Sequence, residues 1–377
     1  MMPEDKAALA EKPPAGTASR RQAIAGVGTT VAAGMVGAAM PASAQSPAPL
    51  RMPAPAPLLV PRADLVNVLE YEAQARLVLG PAKVAPILGS DRTVTDRITL
   101  RPRMNIPTRD LDLTCTLFGD QHFTPIIVGP MADQKRFHSE GEVAMARGAS
   151  AAKAAMVVSS EASMPLAAIA QAATTPLWLQ VYANSPKVKD VLAAAGAAKA
   201  VIVTVNATAG GPTIPASARI DWSAVDTVVK GTSLPVIVKG ITSPQDAKEA
   251  VARGVKGVVV SNYRGGNAAA LTGTLLLIAP VVQTVGDQIP VLVDGSFRRG
   301  TDILKALAFG AKGVLIGRPV MWGLAAYGAD GVQGVVEMLQ TELARYMAMC
   351  GRPSLAAVNS SLVRVHAPLP AASNNRG

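Results

Sequence analysis

A (β/α)8 barrel of the TIM-barrel class, with a helical and extended N-terminal extension, is the architecture this sequence predicts, on three observations. Eight short runs rich in Val and Ile recur from Pro125 onward, Ala-rich helical stretches separate them, and none of the runs alternates polar with apolar residues. Unbroken apolar runs belong to strands buried on both faces, and helical connections between successive strands force parallel pairing. Eight units of one kind, without a Gly-x-Gly-x-x-Gly turn after the first strand, favour a closed barrel over the competing open, doubly wound sheet.

Taken in order, the strands are Pro125-Ile-Ile-Val-Gly-Pro130, Ala155-Met-Val-Val-Ser-Ser160, Leu177-Trp-Leu-Gln-Val-Tyr182 and Ala200-Val-Ile-Val-Thr-Val-Asn206. They continue with Pro235-Val-Ile-Val-Lys-Gly240, Gly257-Val-Val-Val-Ser-Asn262, Pro290-Val-Leu-Val-Asp-Gly295 and Gly313-Val-Leu-Ile-Gly-Arg318. Before the barrel, Leu65, Leu69, Ala73 and Leu77 recur at helical spacing and predict a helix from Leu65 to Leu79, a lid or plug; Arg97 to Leu117 reads as extended. After it, Val332 to Met349 reads as the last helix, stopped by Gly351 and Pro353. The barrel domain is thus expected over 125–355, the extension over 63–124 and a tail over 356–377.

The first 62 residues read as an address and a tether. Ser19-Arg20-Arg21-Gln22-Ala23-Ile24 precedes a weakly apolar stretch to Met40, and Ala42-Ser43-Ala44 is a small-x-small cleavage pattern ahead of Gln45. This is the pattern of a twin-arginine export signal over 1–44, and it places the mature protein in the periplasm. That route carries folded proteins, often with a cofactor already installed. The stretch is built from Gly, Ala, Thr and Val without Leu or Phe, too weakly apolar for a stable membrane anchor. Residues 45–62 are Pro- and Ala-rich, a semi-rigid tether.

Composition narrows the function. With 49% hydrophobic and 16% charged residues the chain folds rather than staying disordered. The net charge is +10, and the first 44 residues hold four bases against three acids, so the excess belongs to the remainder. The bases are dispersed and only 3% of residues are aromatic, which argues against nucleic acid and for small anionic ligands. Cys115 and Cys350, with three histidines (His122, His138, His366), make neither a disulfide framework nor a metal site.

In this fold the working face is formed by the loops after the strand C-termini, where Gln180, Tyr182, Thr204, Lys239, Asn262, Asp294 and Arg318 all fall. Lys239 either faces an anionic ligand or pairs with a strand-end carboxylate, and the pattern alone weighs these equally. The loops after the seventh and eighth strands, Asp294-Gly-Ser296-Phe-Arg298-Arg-Gly300 and Gly317-Arg318-Pro319, place an arginine beside glycines at the same end of the barrel. Backbone N–H groups and guanidinium forks converging there suit a phosphate.

At this point the residues resemble a family. The run from Asp294 to Ala311 with Ile316-Gly-Arg-Pro319 is similar to the C-terminal signature of the FMN-dependent 2-hydroxy acid dehydrogenases and oxidases, the group of glycolate oxidase, lactate oxidase and mandelate dehydrogenase. The resemblance extends through Pro125–Pro130, Gln134, His138, Glu140-Gly-Glu142, Ser159-Ser160, Gln180-Val-Tyr182, Thr204 and Val238-Lys239-Gly240, and covers most of the chain from Val66 to Gly351. It implies FMN as cofactor. Pro130, Met131 and Ala132 would lie along the isoalloxazine, and Ser159, Gln180 and Thr204 would bond its polar edge. Lys239 would sit by the N1/O2 locus, where its charge favours the reduced, anionic form. Asp294 would bind the ribityl chain, with Ser296 in the same loop, and Arg298, Gly317 and Arg318 would bind the phosphate. The resemblance further implies hydride transfer from a small 2-hydroxy acid to give a 2-oxo acid, and assembly as a tetramer; it leaves the electron acceptor open.

The substrate half departs from the family. Family members carry Ser-Asn-His-Gly-Gly/Ala-Arg-Gln after the sixth strand, where the histidine takes the hydroxyl proton and the arginine clamps the carboxylate. Here the segment reads Ser261-Asn262-Tyr263-Arg264-Gly265-Gly266-Asn267. Tyr263 stands in the place of the base, with an ordinary pKa of about 10; Arg264 is displaced by two positions from the clamp. The loop Ala207–Arg219 is short and lacks the family's early arginine, while Ala85–Arg92 replaces a longer segment. Tyr182 is retained and is expected near the substrate carboxylate or C2 oxygen, or packed at the barrel rim. Catalytic candidates are therefore Tyr182, Lys239, Tyr263 and Arg264. The alternative reading is a flavin-binding periplasmic protein of the same fold that has lost hydroxy acid oxidation.

Overall fold

The computed structural model describes residues 58–89, 92–103, 106–210, 219–262 and 273–367. The export signal, most of the tether, Tyr263 and Arg264 lie outside the described residues.

Eight parallel strands close into a barrel: β4 (Ile126–Val128), β5 (Met156–Ser159), β6 (Leu177–Tyr182), β7 (Ala198–Thr204), β8 (Val236–Ile241), β9 (Gly257–Val260), β10 (Val291–Asp294) and β11 (Gly313–Ile316). Closure runs through β11 and β4, with Val314 opposite Ile126 and Ile316 opposite Val128. Each strand falls within or beside its sequence-predicted run, and the helices α3 (Gly141–Ala151), α4 (Leu166–Ala172), α5 (Val188–Ala193), α6 (Trp222–Lys230), α7 (Pro244–Ala252), α8 (Thr274–Val285), α9 (Gly300–Ala308) and α10 (Arg318–Met349) follow them in turn.

The extension contributes α1 (Val68–Val84), α2 (Thr93–Asp96), β1 (Ile98–Leu100) and the hairpin β2 (Cys115–Leu117) and β3 (Asp120–His122). Asn67 caps α1 by accepting from the Leu69 N–H, which moves the helix three residues past the start that periodicity predicts. The stretch Arg97–Leu117, expected to be extended, pairs as β1 and β2 at its two ends and through a single parallel bridge between Asp112 and Ser354. The chain beyond 356 is more than a tail, because β12 (Val363–Val365) pairs antiparallel with β1. The last helix begins at Arg318 rather than Val332, and Gly328 breaks it at a φ of 60°.

Strand alternation divides the apolar residues into two sets. Ile127, Val157, Trp178, Ile202, Ile237, Val259, Leu292 and Leu315 pack together inside the barrel. Their neighbours Ile126, Val128, Met156, Val158, Val201, Val203, Val238, Val260, Val293 and Ile316 join the core beneath the helices. The β2–β3 hairpin packs Leu117 and Phe118 into the inner cluster, with Phe118 edge-on to Trp178 at 5.3 Å between ring centroids. Trp178 is fully buried, and truncating such a residue to Ala costs about 3–5 kcal/mol.

Candidate active site

The inner layer predicts the site by counting. Two residues beyond Val157, Trp178, Ile202, Ile237, Val259, Leu292 and Leu315 stand Ser159, Gln180, Thr204, Lys239, Ser261, Asp294 and Gly317. With a period of two these residues share the inward face, one layer nearer the strand C-termini, where the barrel opens to its loops.

That layer holds two bonded polar groups on adjoining strands. Ser159 Oγ donates to Gln180 Oε1 at 3.0 Å, and Gln180 Nε2 donates to Thr204 Oγ1 at 3.0 Å. Thr204 stands opposite both Tyr182 and Lys239 in the strand registers. Lys239 is 4% exposed; its ammonium lies 2.6 Å from Asp294 Oδ2 and donates to Ser261 Oγ at 2.8 Å. Of the two sequence readings of Lys239, the strand-end carboxylate is therefore real, yet the pair faces into the barrel mouth rather than outward to solvent. The carboxylate offsets the cost of burying the ammonium. Glycine is required after Lys239: Gly240 has a φ of 115°, and a Cβ there would come within 2.7 Å of the Asn206 side chain.

The two sequence-predicted arginines meet. Arg298 is 2% exposed; its Nη1 donates to Phe297 O at 2.8 Å and its Nη2 to Gly89 O at 3.0 Å. Arg318 Nη1 donates to Leu88 O at 3.2 Å and to the same Gly89 oxygen. The Arg298 guanidinium lies over Trp322, 4.7 Å from the ring centroid, and Trp322 Nε1 donates to Ile87 O at 2.8 Å. Burial, reinforced by the charge of Arg318, pushes Arg298 down to about 9. The first segment of α10, up to the break at Gly328, has its N-terminus at Arg318, so its backbone dipole adds to the positive field.

These residues fit a mononucleotide phosphate. Arg298 Nε is buried without a hydrogen-bond partner among the described residues, beside a second guanidinium and a helix N-terminus. A bound dianion would supply the acceptor that Nε lacks and would be favoured by both guanidinium charges. Gly317 keeps the wall open: a Cβ there would stand 3.1 Å from the Met131 sulfur. Met131 thus lies against the phosphate-side strand end, and its carbonyl accepts from Gln134 Nε2 at 3.2 Å. Pro130 and Met131 are half-buried and Ala132 is exposed. Ser296 adopts a φ of 58°, a left-handed turn that follows Gly295 at 109°.

Sequence reasoning placed Asn262 at the strand end, and parity assigns the inner position to Ser261 instead. It also missed the extension's share of the site, the Leu88 and Gly89 carbonyls. None of the histidines lines the mouth. His122, at the end of β3 in the hairpin, packs edge-on to Trp178, His138 lies where a Cβ on Gly328 would meet it at 3.1 Å, and His366 bonds Thr99 at 2.8 Å.

Comparison with known proteins agrees with this fold. The profile of the family described as FMN-dependent dehydrogenase matches residues 80–213 and 212–365. Glycolate oxidase of Spinacia oleracea is 33% identical over 351 residues, spanning 79% of this chain and 95% of that protein. L-lactate oxidase of Nostoc sp. is 32% identical over 358 residues, spanning 80% and 98%. Among solved structures, a flavocytochrome b2 variant superposes with a TM-score of 0.74 at 28% identity, covering 81% of this chain and 88% of that one. Mandelate oxidase bound to (S)-2-phenylpropionate superposes at 0.72 with 32% identity, covering 80% and 99%.

Proposed function

The chain belongs to the FMN-dependent dehydrogenase family, and from that premise we propose that it oxidises a small 2-hydroxy acid to the corresponding 2-oxo acid. The observation that carries the proposal is the convergence of Lys239, Asp294 and the Ser159–Gln180–Thr204 chain in the barrel mouth, next to the paired arginines Arg298 and Arg318.

FMN supplies a two-electron, hydride-accepting ring when bound. Arg298, Arg318 and the α10 N-terminus would hold its phosphate, Asp294 and Ser296 would serve the ribityl chain, and Pro130, Met131 and Ala132 would lie along the ring. Ser159, Gln180 and Thr204 form a pre-bonded polar edge that needs little reorganisation, which is how preorganised dipoles stabilise developing charge. Lys239 presents a buried ammonium held in place by Asp294 and Ser261, so positive charge is in position before negative charge develops.

On the substrate side, Tyr182 is buried at the end of β6 and is assigned to the substrate carboxylate. Tyr263 and Arg264, which follow β9 in sequence, are assigned as proton acceptor and second carboxylate contact. Net chemistry removes the C2 hydrogen with its electron pair and the hydroxyl proton, leaving a carbonyl. A tyrosine accepts that proton only when ionised, so Arg264 and Lys239 are the cations assigned to favour its phenolate.

Anaerobic mixing of the holoprotein with glycolate, lactate and mandelate tests the proposal. Bleaching of the visible flavin absorption by at least one acid is expected. A flavin that stays oxidised with all of them would overturn substrate oxidation and leave a flavin-binding role. Arg20-Arg21 and Ala42-Ser43-Ala44 support export to the periplasm by the twin-arginine route, for which N-terminal sequencing of the mature protein should begin at Gln45.

A further inference from the structure

We propose that Arg92, on the extension, is a positioning residue for the phosphate-binding loop and acts through Asp302. The inference rests on the flavin-site reading above. Arg92 meets Asp302 fork to fork, Nη1 to Oδ2 at 2.8 Å and Nη2 to Oδ1 at 3.1 Å. The Asp302 carboxylate is 1% exposed, and Oδ2 also accepts the backbone N–H groups of Arg298 and Arg299, each at 3.0 Å.

One carboxylate thereby fixes the backbone of the residue that presents the buried guanidinium. It also fixes the residue that opens α9. Arg92 spends its fork on Asp302, and its hold on the loop backbone travels through that carboxylate; its charge also reaches the Arg298 guanidinium directly, a contribution that Arg92→Lys retains.

Charge explains why the tie needs a cation. Without Arg92, Asp302 would remain a buried carboxylate with two amide donors and the field of Lys305, whose own ammonium is committed to Thr95 O at 3.0 Å. A buried carboxylate stripped of a bidentate guanidinium either takes up a proton or moves toward water. Either change loosens the Arg298 and Arg299 N–H groups and, with them, the aim of Arg298. The same stretch carries Gly89, whose carbonyl receives both phosphate-site arginines, so Arg92 anchors the extension and the loop to each other. The hydrogen bond between Lys305 and Thr95 makes a second tie from α9 to α2, and it would keep the extension docked when Arg92 is removed.

The test compares two ligands on deflavinated protein. FMN and riboflavin share the ring and ribityl chain, and only FMN carries the phosphate. For Arg92→Ala, fluorescence titration should show FMN binding weakened about tenfold or more, and riboflavin binding changed less than about twofold. Arg92→Lys should recover only part of the loss, because one ammonium cannot reproduce the fork. Equal weakening of both ligands would show a general packing role and overturn the proposal, as would unchanged FMN affinity. If Arg92→Ala fails to fold, the FMN-to-riboflavin ratio of Arg92→Lys decides in the same way. Wild-type protein that binds neither ligand would instead sink the flavin reading itself.

Discussion

Arg298 and Arg318, on the loops after neighbouring strands β10 and β11, donate to one and the same carbonyl oxygen, that of Gly89. Two like charges gathered on a neutral acceptor, one of them 2% exposed, form a site that favours a bound anion.

Arg298→Ala should weaken FMN binding about 10- to 100-fold, since a buried charge-assisted hydrogen bond contributes about 1.5–3 kcal/mol. Arg298→Lys should restore little of it, because lysine offers neither the planar stack on Trp322 nor a donor fork. Equilibrium dialysis of the deflavinated variants against FMN measures both.

The buried ion pair predicts a stability pattern. Lys239→Met leaves Asp294 without its ammonium, and Asp294→Asn leaves the lysine without its carboxylate; each should cost about 3–5 kcal/mol if the charge stays uncompensated. The double variant should cost clearly less than the sum. Chemical denaturation of all four proteins in a double-mutant cycle reads the coupling directly.

Tyr263 in place of a histidine predicts an alkaline pH profile. With the phenolate as the proposed proton acceptor, kcat/KM should rise with pH toward the tyrosine's ionisation and then level off. Tyr263→His should move the rising limb toward about pH 6.5, and Tyr263→Phe should remove it together with most of the activity. Steady-state rates from pH 6 to 10 would distinguish the three.

Both cysteines are free thiols. Burial, with a smaller contribution from Asp112, pushes the Cys115 thiol up to about 11, and burial raises Cys350 as well. At pH 8 the Cys115 thiolate should be about two orders of magnitude rarer than that of an exposed cysteine, with alkylation by iodoacetamide slowed to match. Mass spectrometry of the native and unfolded protein should show labelling only after unfolding.

The strands were legible because a parallel barrel buries both faces, so Val and Ile run on without alternation. The residues at their C-terminal ends followed from the same pattern. What escaped the sequence lay in relations between distant segments. Arg92 and Asp302 are 210 positions apart, and nothing local marks either as the other's partner. The sequence reading starts the last helix at Val332, whereas α10 begins at Arg318 and holds Gly323 and Gly331. In the structure they let two helical segments approach until a Cβ on either would strike the other's backbone, with Gly328 making the turn. Ser261 was overlooked in favour of Asn262, since parity becomes countable only once Val259 is known to point inward.

Single-turnover chemistry tests the central claim most directly: holoprotein, free of oxygen, is mixed with excess hydroxy acid, and the flavin absorption and the 2-oxo acid formed are both quantified. The account predicts about one equivalent of 2-oxo acid for each flavin bleached, with Lys239→Met abolishing both. Flavin-loaded protein that is neither bleached nor yields any 2-oxo acid, or a wild type and a Lys239→Met variant that react alike, would contradict it.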